Sequence, residues 1–594
     1  MYAVRITSCV LIFICWGFPS LSFSQIPNGY EKGLSYINSD DIKNSISFLA
    51  SDELEGRATG SQGNLEAARF IAKKFFEAGL IPYQQNKSLI PPVVDDEDET
   101  KIPVQPKESE KPDFYDKYFQ KFFLTESKIN KFNTSLAISK KVNDTNKGFS
   151  YQIQKDFVVS YKSSRGISLE APIVFVGYGI DKGELNYNDY VDENGKEIDV
   201  KDKIVLIVEG FPRESDPNSD FSKSKNILYK NARKKLEAAM EKGAIAVLVA
   251  QSPLRQNPPF AVKFENMSNA FLKSEFGLPE LQLKSTIPLI YISSDIVRDL
   301  FAGSKKSLSE LLTNIDRELK PSAFSFTESS IKINVHFDVE LIPTQNVIGL
   351  IEGTDVELKN EFVVIGAHYD HVGLGNYGAM DKNNTGQIHN GADDNGSGTS
   401  GLIELVEAFA HCKPKRSIIF AAFSGEENGI LGSRHYAFQN PFQSIDNTVT
   451  MVNLDMIGRN EPELVWIGGI FYSEDLKKVV MEANTQIGFE LLYNVGLLTF
   501  ASDQGPFIRK EVPSLFFFSG LHDDYHTPGD DTEKIDFDKT ERISKLAYMS
   551  SWILANQQER PRYREATMDE KIVLVKESLE RQKKYRPEDK KGNK

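Results

Sequence analysis

The 594-residue sequence predicts an α/β protein built on a mostly parallel mixed sheet with helices on both faces. The main observation is that apolar strands alternate with amphipathic helices through residues 325–558, a pattern typical of parallel sheets buried on both sides. A second observation is that residues 155–324 carry their own shorter run of strands with a helix. This run predicts a smaller inserted domain of α/β or β-rich structure.

A cleavable export signal is predicted at the start of the chain. Arg5 precedes an apolar run, Ile6 to Phe18, that is too short to span a membrane as a helix. Small serines stand just before Gln25, so we expect cleavage before Gln25, a signal peptide at 1–24 and a periplasmic or secreted protein. An uncleaved membrane anchor is the alternative interpretation of this segment.

Residues 25–154 are predicted to be the N-terminal part of the main domain. Apolar residues from Ala68 to Phe75 keep the spacing of one helix face, and Gly79 suits the end of that helix. Prolines and an acidic run at 91–112 predict a solvated insertion. A charged loop fits this insertion better than a calcium site, because the spacing of an EF-hand is absent.

Residues 155–324 are predicted to form the second, smaller domain. The segments "VFVGYGI", "NYNDY", "VKDKIVLIVEG" and "EKGAIAVLVA" resemble the protease-associated (PA) domain. That resemblance implies a role in binding or access control, with the chemistry placed elsewhere in the chain. The main domain follows at 325–558, and residues 559–594 are predicted to be a charged tail with a stretch that can form a surface helix.

The composition excludes several classes of partner. Asp and Glu number 84 against 70 Lys and Arg, a formal charge of −14, whereas a nucleic-acid-binding protein needs a basic surface. After the predicted signal no apolar stretch is long enough to cross a membrane, so no stable membrane insertion is expected. Two of the three cysteines lie in the signal, which leaves only Cys412 and no intramolecular disulfide.

Histidines and carboxylates follow the predicted strands of the main domain. Open α/β sheets bind ligands beyond the carboxyl ends of their strands, so these side chains are expected to converge at one edge. They are His368, Asp370, Asp393, Asp394, Glu426, Glu427, Asp455 and His526. Imidazole and carboxylate without thiolate fit zinc, with cobalt or manganese as alternatives. If three of these carboxylates bind metal together with one hydroxide, they carry four negative charges, which balance two divalent cations.

Five motifs carry a resemblance to a known family. The motifs "GAHYDHVG", "NGADDNGSG", "FSGEENGILGS", "NLDMIG" and "DYHTPGDD" resemble, in order, those of the co-catalytic zinc aminopeptidases, whose relatives include glutamate carboxypeptidase and the glutaminyl cyclases. The segment "LASDELEGRATGSQGNLEAARFIAKKF" is similar to the N-terminal helix region of that family. The resemblance implies a zinc exopeptidase fold of the phosphorylase/hydrolase-like type and two zinc ions per chain.

The resemblance also implies the zinc ligands. His368 and Asp455 would bind the first zinc, Glu427 and His526 would bind the second, and Asp394 would bridge the two.

Residues beside these ligands have implied roles as well. Asp370 would accept the other ring N–H of His368, and Glu426 would be the general base for the zinc-activated water. The alternative for Glu426 is a supporting hydrogen bond without a part in the chemistry. The family also has a cis peptide bond after the bridging aspartate, here Asp394–Asn395.

One departure from the family pattern is visible in the segment "ASDQGPF". Many relatives have Ser-Asp-His there, whereas this chain has Gln504 in place of the histidine. This departure does not affect the implied zinc ligands. It bears instead on contacts with the substrate or on stabilisation of the oxyanion near that loop. His371 and His389 are interpreted as lining or structural residues, and Asp393 as a neighbour of the site.

Together these observations predict an exported metallo-exopeptidase, an aminopeptidase that removes N-terminal residues from peptides. A carboxypeptidase or dipeptidase of the same fold is one alternative. A glutaminyl cyclase is another, although cyclases of this fold use one zinc and this chain has a complete two-metal set. A non-catalytic binding relative is a third, although such relatives lose ligands that this chain retains. The side-chain preference and the oligomeric state are left open.

Overall fold

In the computed structural model, the described residues are 26–83, 113–142, 145–160, 166–181, 185, 187–223, 232–267, 274–279 and 287–585. The predicted signal peptide at 1–24, the cleavage point before Gln25 and the insertion at 91–112 lie outside these residues.

The described residues form α-helices and strands in alternation along most of the chain. The helices are Tyr30–Leu34, Ser39–Leu49, Gln62–Glu77, Asp220–Lys223, Ala232–Glu241, Phe260–Lys263, Ser294–Phe301, Leu308–Glu318, Gly398–His411, Leu431–Phe438, Glu474–Asn484, Gln504–Ile508, Phe537–Asn556 and Met568–Lys583. The strands are β1 (Ile81–Pro82), β2 (Phe119–Ile129), β3 (Ser135–Val142), β4 (Thr145–Tyr151), β5 (Phe157–Val159), β6 (Ile167–Phe175), β7 (Ile204–Val208), β8 (Ala246–Ala250), β9 (Glu275–Gly277), β10 (Leu289–Ile292), β11 (Phe324–Val335), β12 (Phe337–Ile351), β13 (Phe362–His368), β14 (Ser417–Phe423), β15 (Thr448–Leu454), β16 (Leu464–Gly468), β17 (Glu490–Leu492) and β18 (Ser514–Phe518).

The first sheet has the order β17-β16-β18-β15-β13-β14-β12-β2-β9, and β1 also pairs with β12. Its four central strands, β18, β15, β13 and β14, run parallel to one another. The strands β16, β12, β2 and β9 join antiparallel to their inner neighbours. The predicted mixed α/β sheet is therefore confirmed, with its parallel part at the centre.

Helices cover this sheet on both faces, as the sequence predicts. Along β13, Val363 is wholly buried in a cluster that includes helices Gly398–His411 and Phe537–Asn556. The next residue, Val364, is buried on the opposite face with residues of helix Leu431–Phe438. A strand with both faces covered is expected to be largely apolar on both faces, which explains the nearly continuous apolar runs of β13 and β14, whereas β15 also buries Thr450 and Asn453.

The predicted N-terminal helix is confirmed at Gln62–Glu77. The side chain of Ser61 caps it by accepting the N–H of Asn64 at 3.1 Å. Its apolar face is buried in the main core. Gly79, with φ 75°, follows directly after the helix, where a left-handed residue is commonly needed.

The second sheet has the order β4-β3-β11-β6-β7-β8-β10-β5, and β6, β7, β8 and β10 are parallel. It has its own buried clusters. The sheet runs from Ser135 to Val335, which is wider than the 155–324 predicted for the second domain. The sequence does not mark this boundary, because one residue separates β11 from β12 of the first sheet. Its relationship to a PA domain stays a prediction.

One described helix lies within the predicted charged tail. Helix Met568–Lys583, within the predicted tail, begins with a capping box between Thr567 and Glu570. Leu574 of that helix is buried in the main core, so this part of the tail packs in the same core as the first sheet.

Among the described residues, no helix combines the length and apolar character needed to cross a membrane.

His435, on helix Leu431–Phe438, makes stability pH-dependent. Its ring stacks on Phe122 at 4.6 Å, and burial lowers its pKa from 6.5 to about 4. The folded pKa lies below the unfolded one, so this contribution is complete above pH 6.5 and is lost as the pH falls toward 4. At full loss it amounts to about 3 kcal/mol. We expect His435→Phe to have a shallower decrease in unfolding free energy between pH 7.5 and pH 5, measured by urea unfolding.

The same experiment on the exposed His336 provides a control for His435. The side chain of His336 is 44% exposed, so His336→Phe should keep the wild-type pH slope. The predicted metal ligands are unchanged in all three proteins, and the difference between slopes therefore isolates His435. Equal slopes for His435→Phe and the wild type would contradict the assignment.

Candidate metal centre

The predicted histidines and carboxylates meet at the carboxyl ends of the central parallel strands. His368 is the last residue of β13, Glu426 and Glu427 follow β14, and Asp455 follows β15. His526 lies on the connection that leaves β18. Parallel pairing thus gathers residues that are far apart in the sequence at one edge of the sheet.

The first donor group consists of His368, Asp394 and Asp455, whose ligand atoms all lie within 4.8 Å of one another. The Nε2 atom of His368 lies 3.4 Å from Oδ1 of Asp394 and 3.5 Å from Oδ1 of Asp455. The other ring nitrogen of His368 faces the main-chain carbonyl of Asp370 at 3.1 Å. A proton on that nitrogen leaves Nε2 with its lone pair toward the group.

The second donor group consists of His371, Asp394, Glu427 and His526, again within 4.8 Å. The Nε2 atom of His526 lies 3.0 Å from Oδ2 of Asp394 and 3.0 Å from Oε2 of Glu427. Its Nδ1 faces the carbonyl of Gly378 at 2.9 Å, which orients the ring. Asp394 therefore directs one oxygen to each group, which is the position that a bridging carboxylate requires.

The turn that carries Asp394 is fixed by buried hydrogen bonds. The peptide bond Asp394–Asn395 is cis, which confirms what the resemblance implies. The carboxylate of Asp530 accepts the main-chain N–H of Asp394 at 3.0 Å, and the side-chain amide of Asn395 donates to the carbonyl of Leu454 at 3.0 Å. At Gly391, with φ 59°, a Cβ would lie 2.2 Å from the carbonyl oxygen of Asp394, so a larger residue does not fit.

The contacts of Asp370 show which of its atoms meets the ring of His368. Its carboxylate lies 3.8 Å from Nδ1 of His368, and the ring N–H meets the main-chain carbonyl of Asp370 instead. The carboxylate accepts the hydroxyl of Thr59 at 2.9 Å and the main-chain N–H groups of Glu426 and Glu427 at 3.2 and 3.3 Å. Asp370 thus orients His368 through its backbone and the glutamate pair through its side chain.

Glu426 and Glu427 are neighbours with opposite electrostatics. Burial raises the pKa of Glu426 well above its usual value, and the charge of Glu427 adds to the rise, against a partial opposing effect of His368. Burial and the charge of Asp394 also raise the pKa of Glu427, but contacts with imidazoles, His526 foremost, outweigh them and lower this pKa to about 2. Such a pair suits one carboxylate that binds and one that exchanges protons.

Glu426 belongs to neither donor group, although it lies beside the first. Its Oε2 atom is 4.0 Å from Nε2 of His368. A carboxylate at that distance can reach a small molecule held between it and the first group.

Gln504, the departure from the family pattern, supports a ligand indirectly. Its Oε1 atom accepts from the amide of Asn453, which also donates to the hydroxyl of Ser502, both at 2.9 Å. Ser502 in turn donates to Oδ2 of Asp455 at 2.6 Å. Gln504 is wholly buried and therefore helps to hold the loop that orients Asp455.

Sequence reasoning missed the role of the loop around Arg57. This arginine is 1% exposed, and its guanidinium donates to the carbonyls of Tyr369 at 2.9 Å, Asn390 at 2.7 Å and Gly391 at 3.0 Å. It also donates to the carbonyl of Leu49. The carbonyls precede Asp370 and Asp394, so Arg57 joins the two segments that carry them. The sequence "GRATG" resembles an ordinary turn, and only the tertiary contacts reveal this role.

Two other site residues were not assigned from the sequence. His371 was interpreted as a lining residue, but its Nδ1 lies 2.8 Å from Oε1 of Glu427. Tyr525 stacks on His526 with 3.8 Å between ring centroids. Both are neighbours of predicted ligands in the sequence, which was the available signal. By contrast, the predicted neighbour Asp393 pairs with His522 at 3.3 Å and lies in neither donor group.

The two groups fit zinc by the chemistry of their donors. Each combines imidazole nitrogen with carboxylate oxygen, contains no thiolate and is largely buried. The ligand assignments themselves stay predictions.

Comparison with known proteins finds a family match over the part of the chain that carries the donors. Residues 346–550 match the family model described as Peptidase family M28, and that span contains both donor groups. This segment is similar to peptidase family M28. Proteins similar to this chain include the aminopeptidase YwaD of Bacillus subtilis, 26% identical over 250 residues, which are 40% of this chain and 50% of YwaD. A probable zinc metalloprotease of Pyrenophora tritici-repentis is 26% identical over 255 residues, 35% of this chain and 56% of that protein.

The chain thus spans about half the length of these curated relatives. Among solved structures, an aminopeptidase from Aneurinibacillus sp. strain AM-1 aligns over 91% of this chain and 98% of its own, with a TM-score of 0.46 and 19% identity.

Proposed function

We propose that this protein is an exported zinc-dependent aminopeptidase that hydrolyses N-terminal residues of peptides. The observation that carries the proposal is one carboxylate, Asp394, shared by two buried donor groups, with the carboxylate of Glu426 beside them and in neither. The M28 family of residues 346–550 and the relatives named as aminopeptidases support it. Export through a signal peptide at 1–24 is part of the proposal.

In this proposal the donors hold two zinc ions. His368 and Asp455 belong to the first site, Glu427 and His526 to the second, and Asp394 to both. Two zinc ions supply Lewis acidity toward the scissile carbonyl and a nucleophile at neutral pH. The remaining steps fall to the chain's own side chains.

Glu426 is the proton carrier. Its buried carboxylate takes a proton from the attacking water and returns it to the nitrogen of the departing peptide. Burial raises the pKa of Glu426 above its usual value, which favours a carboxyl group that can hold a proton and give it back. Asp370 keeps Glu426 in place by accepting its main-chain N–H.

A peptide digest read by mass spectrometry tests the proposal. We expect stepwise loss of residues from the N-terminus of free peptides, no loss from N-acetylated ones, and unchanged loss from C-terminally amidated ones. Loss from the C-terminus would instead identify a carboxypeptidase, and cleavage of dipeptides alone a dipeptidase. Cyclisation of N-terminal glutamine would identify a cyclase, and no reaction would leave a binding protein. Elemental analysis of the same protein should find about two zinc ions per chain.

A further inference from the structure

The two donor groups are unequal in number, and His371 makes the difference. The first group has three donors, His368, Asp394 and Asp455, whereas the second has four. His371 is the fourth, and it is 2% exposed. Its ring lies nearly perpendicular to that of His526, with 5.4 Å between centroids.

The distances around His371 fit a tetrahedral ligand shell. Its Nδ1 lies 2.8 Å from Oε1 of Glu427 and 3.9 Å from Oδ2 of Asp394. Nε2 of His526 lies 3.0 Å from carboxylate oxygens of the same two residues. At Zn–N and Zn–O distances of about 2.0–2.2 Å, tetrahedral ligand atoms are about 3.3–3.6 Å apart, and each observed separation lies within about 0.5 Å of that range.

The backbone places the His371 ring independently of Glu427. The N–H of His371 donates to the carbonyl of Arg57 at 3.3 Å, and the residue forms a bridge with Ala58. On its other side the ring lies against Gly391, where a Cβ would stand 2.5 Å from Cδ2 of the imidazole. A ring confined in this way presents Nδ1 to the second group without rearrangement.

We propose that His371 is a fourth protein ligand of the second metal, bound through Nδ1. This rests on the proposed two-zinc function and adds an asymmetry to it. A zinc with four protein ligands is the closed arrangement of structural sites, whereas three ligands leave a position for water or substrate. The second metal is therefore the tightly held one, and the first, beside Glu426, keeps the open position.

Metal release from the purified holoprotein tests the asymmetry. We expect a competing chromophoric chelator to remove the zinc ions in two steps. The first ion should leave with all of the activity, and the second should leave only at much higher chelator concentration. Release of both ions in a single step at one affinity would overturn the asymmetry.

The variant His371→Ala tests the ligand itself. Loss of a residue that only orients a ligand typically weakens metal binding 10- to 100-fold, so loss of a direct ligand should exceed about 100-fold for the tight metal. Cobalt(II) substituted at the tight site should also change its absorption spectrum from the strong four-coordinate form. A weakening below 100-fold with an unchanged cobalt spectrum would overturn the proposal.

A matched control is available in the same region. His389 is also buried, its Nδ1 faces the carbonyl of Gln387 at 2.9 Å, and it lies in neither donor group. His389→Ala should leave the tight affinity and the cobalt spectrum unchanged. His371→Gln repeats the test with a polar side chain, in case His371→Ala does not fold. Wild-type protein that binds fewer than two metals would instead refute the proposed two-zinc site, so the two failures are distinguishable.

Discussion

Replacement of Glu426 by glutamine is expected to lower kcat by about 10²–10⁴-fold while both metals remain bound. Glutamine has nearly the same shape, but its amide cannot accept and return a proton at neutral pH. The side chain belongs to neither donor group, and the main-chain N–H to Asp370 does not depend on it. The measurements are steady-state kinetics on an aminoacyl-arylamide and the zinc content of the same sample.

The adjacent residue provides the control for Glu426→Gln. Glu427 has a side chain of the same type and length, but its oxygens lie 3.0 Å from His526 and 2.8 Å from His371. Glu427→Gln should therefore lose metal affinity together with activity. A Glu426→Gln variant that retains two zinc ions and nearly the wild-type rate would show that another group moves the proton.

The convergence of the predicted ligands could be expected from the sequence because it depends on local sequence and one general rule. Each of His368, Glu427 and Asp455 stands within four residues of the end of a largely apolar run that forms a strand. Such runs form central parallel strands, and parallel strands end at the same edge of the sheet. Strand recognition was therefore enough to bring these groups together, before any distance was known.

Other features of the site depend on contacts that no local pattern encodes. The "HYDH" motif shows that Asp370 follows His368 but does not reveal whether its carbonyl or its carboxylate meets the ring. The sequence predicts His371 only as a lining or structural residue. Its place among the donors is visible only from the 2.8 Å distance between its Nδ1 and Oε1 of Glu427. The second sheet begins at Ser135, before the predicted domain start at 155. The sequence does not reveal this start, because β3 and β4 form a hairpin with largely polar, exposed positions and no change in composition precedes it.

Arg57 illustrates the same limit and is the basis of the last prediction. Substitution of Arg57 by methionine is expected to lower the free energy of unfolding by about 3–5 kcal/mol, the range for breaking a buried charged network. The aliphatic part of the side chain is preserved, but the carbonyls of Tyr369 and Asn390 lose the guanidinium as donor, and that of Gly391 keeps the main-chain N–H of Gly396. Urea unfolding of zinc-free protein measures this change without the contribution of metal binding.

A variant that keeps the charge of Arg57 and a variant that removes it separate the loss of hydrogen bonds from the loss of charge. Burial lowers the pKa of Arg57 to about 10, against the opposing effect of carboxylates led by Asp394, so the side chain remains a cation at neutral pH. Arg57→Lys keeps that charge but cannot donate to carbonyls on separate segments, and it should lose less stability than Arg57→Met. The exposed Arg298→Met is the control and should leave the urea midpoint nearly unchanged. Equal midpoints for Arg57→Met and Arg298→Met would show that these carbonyls do not depend on the guanidinium. A large loss in Arg57→Met alone would show that the loop preceding the metal ligands needs this buried cation even when no zinc is bound.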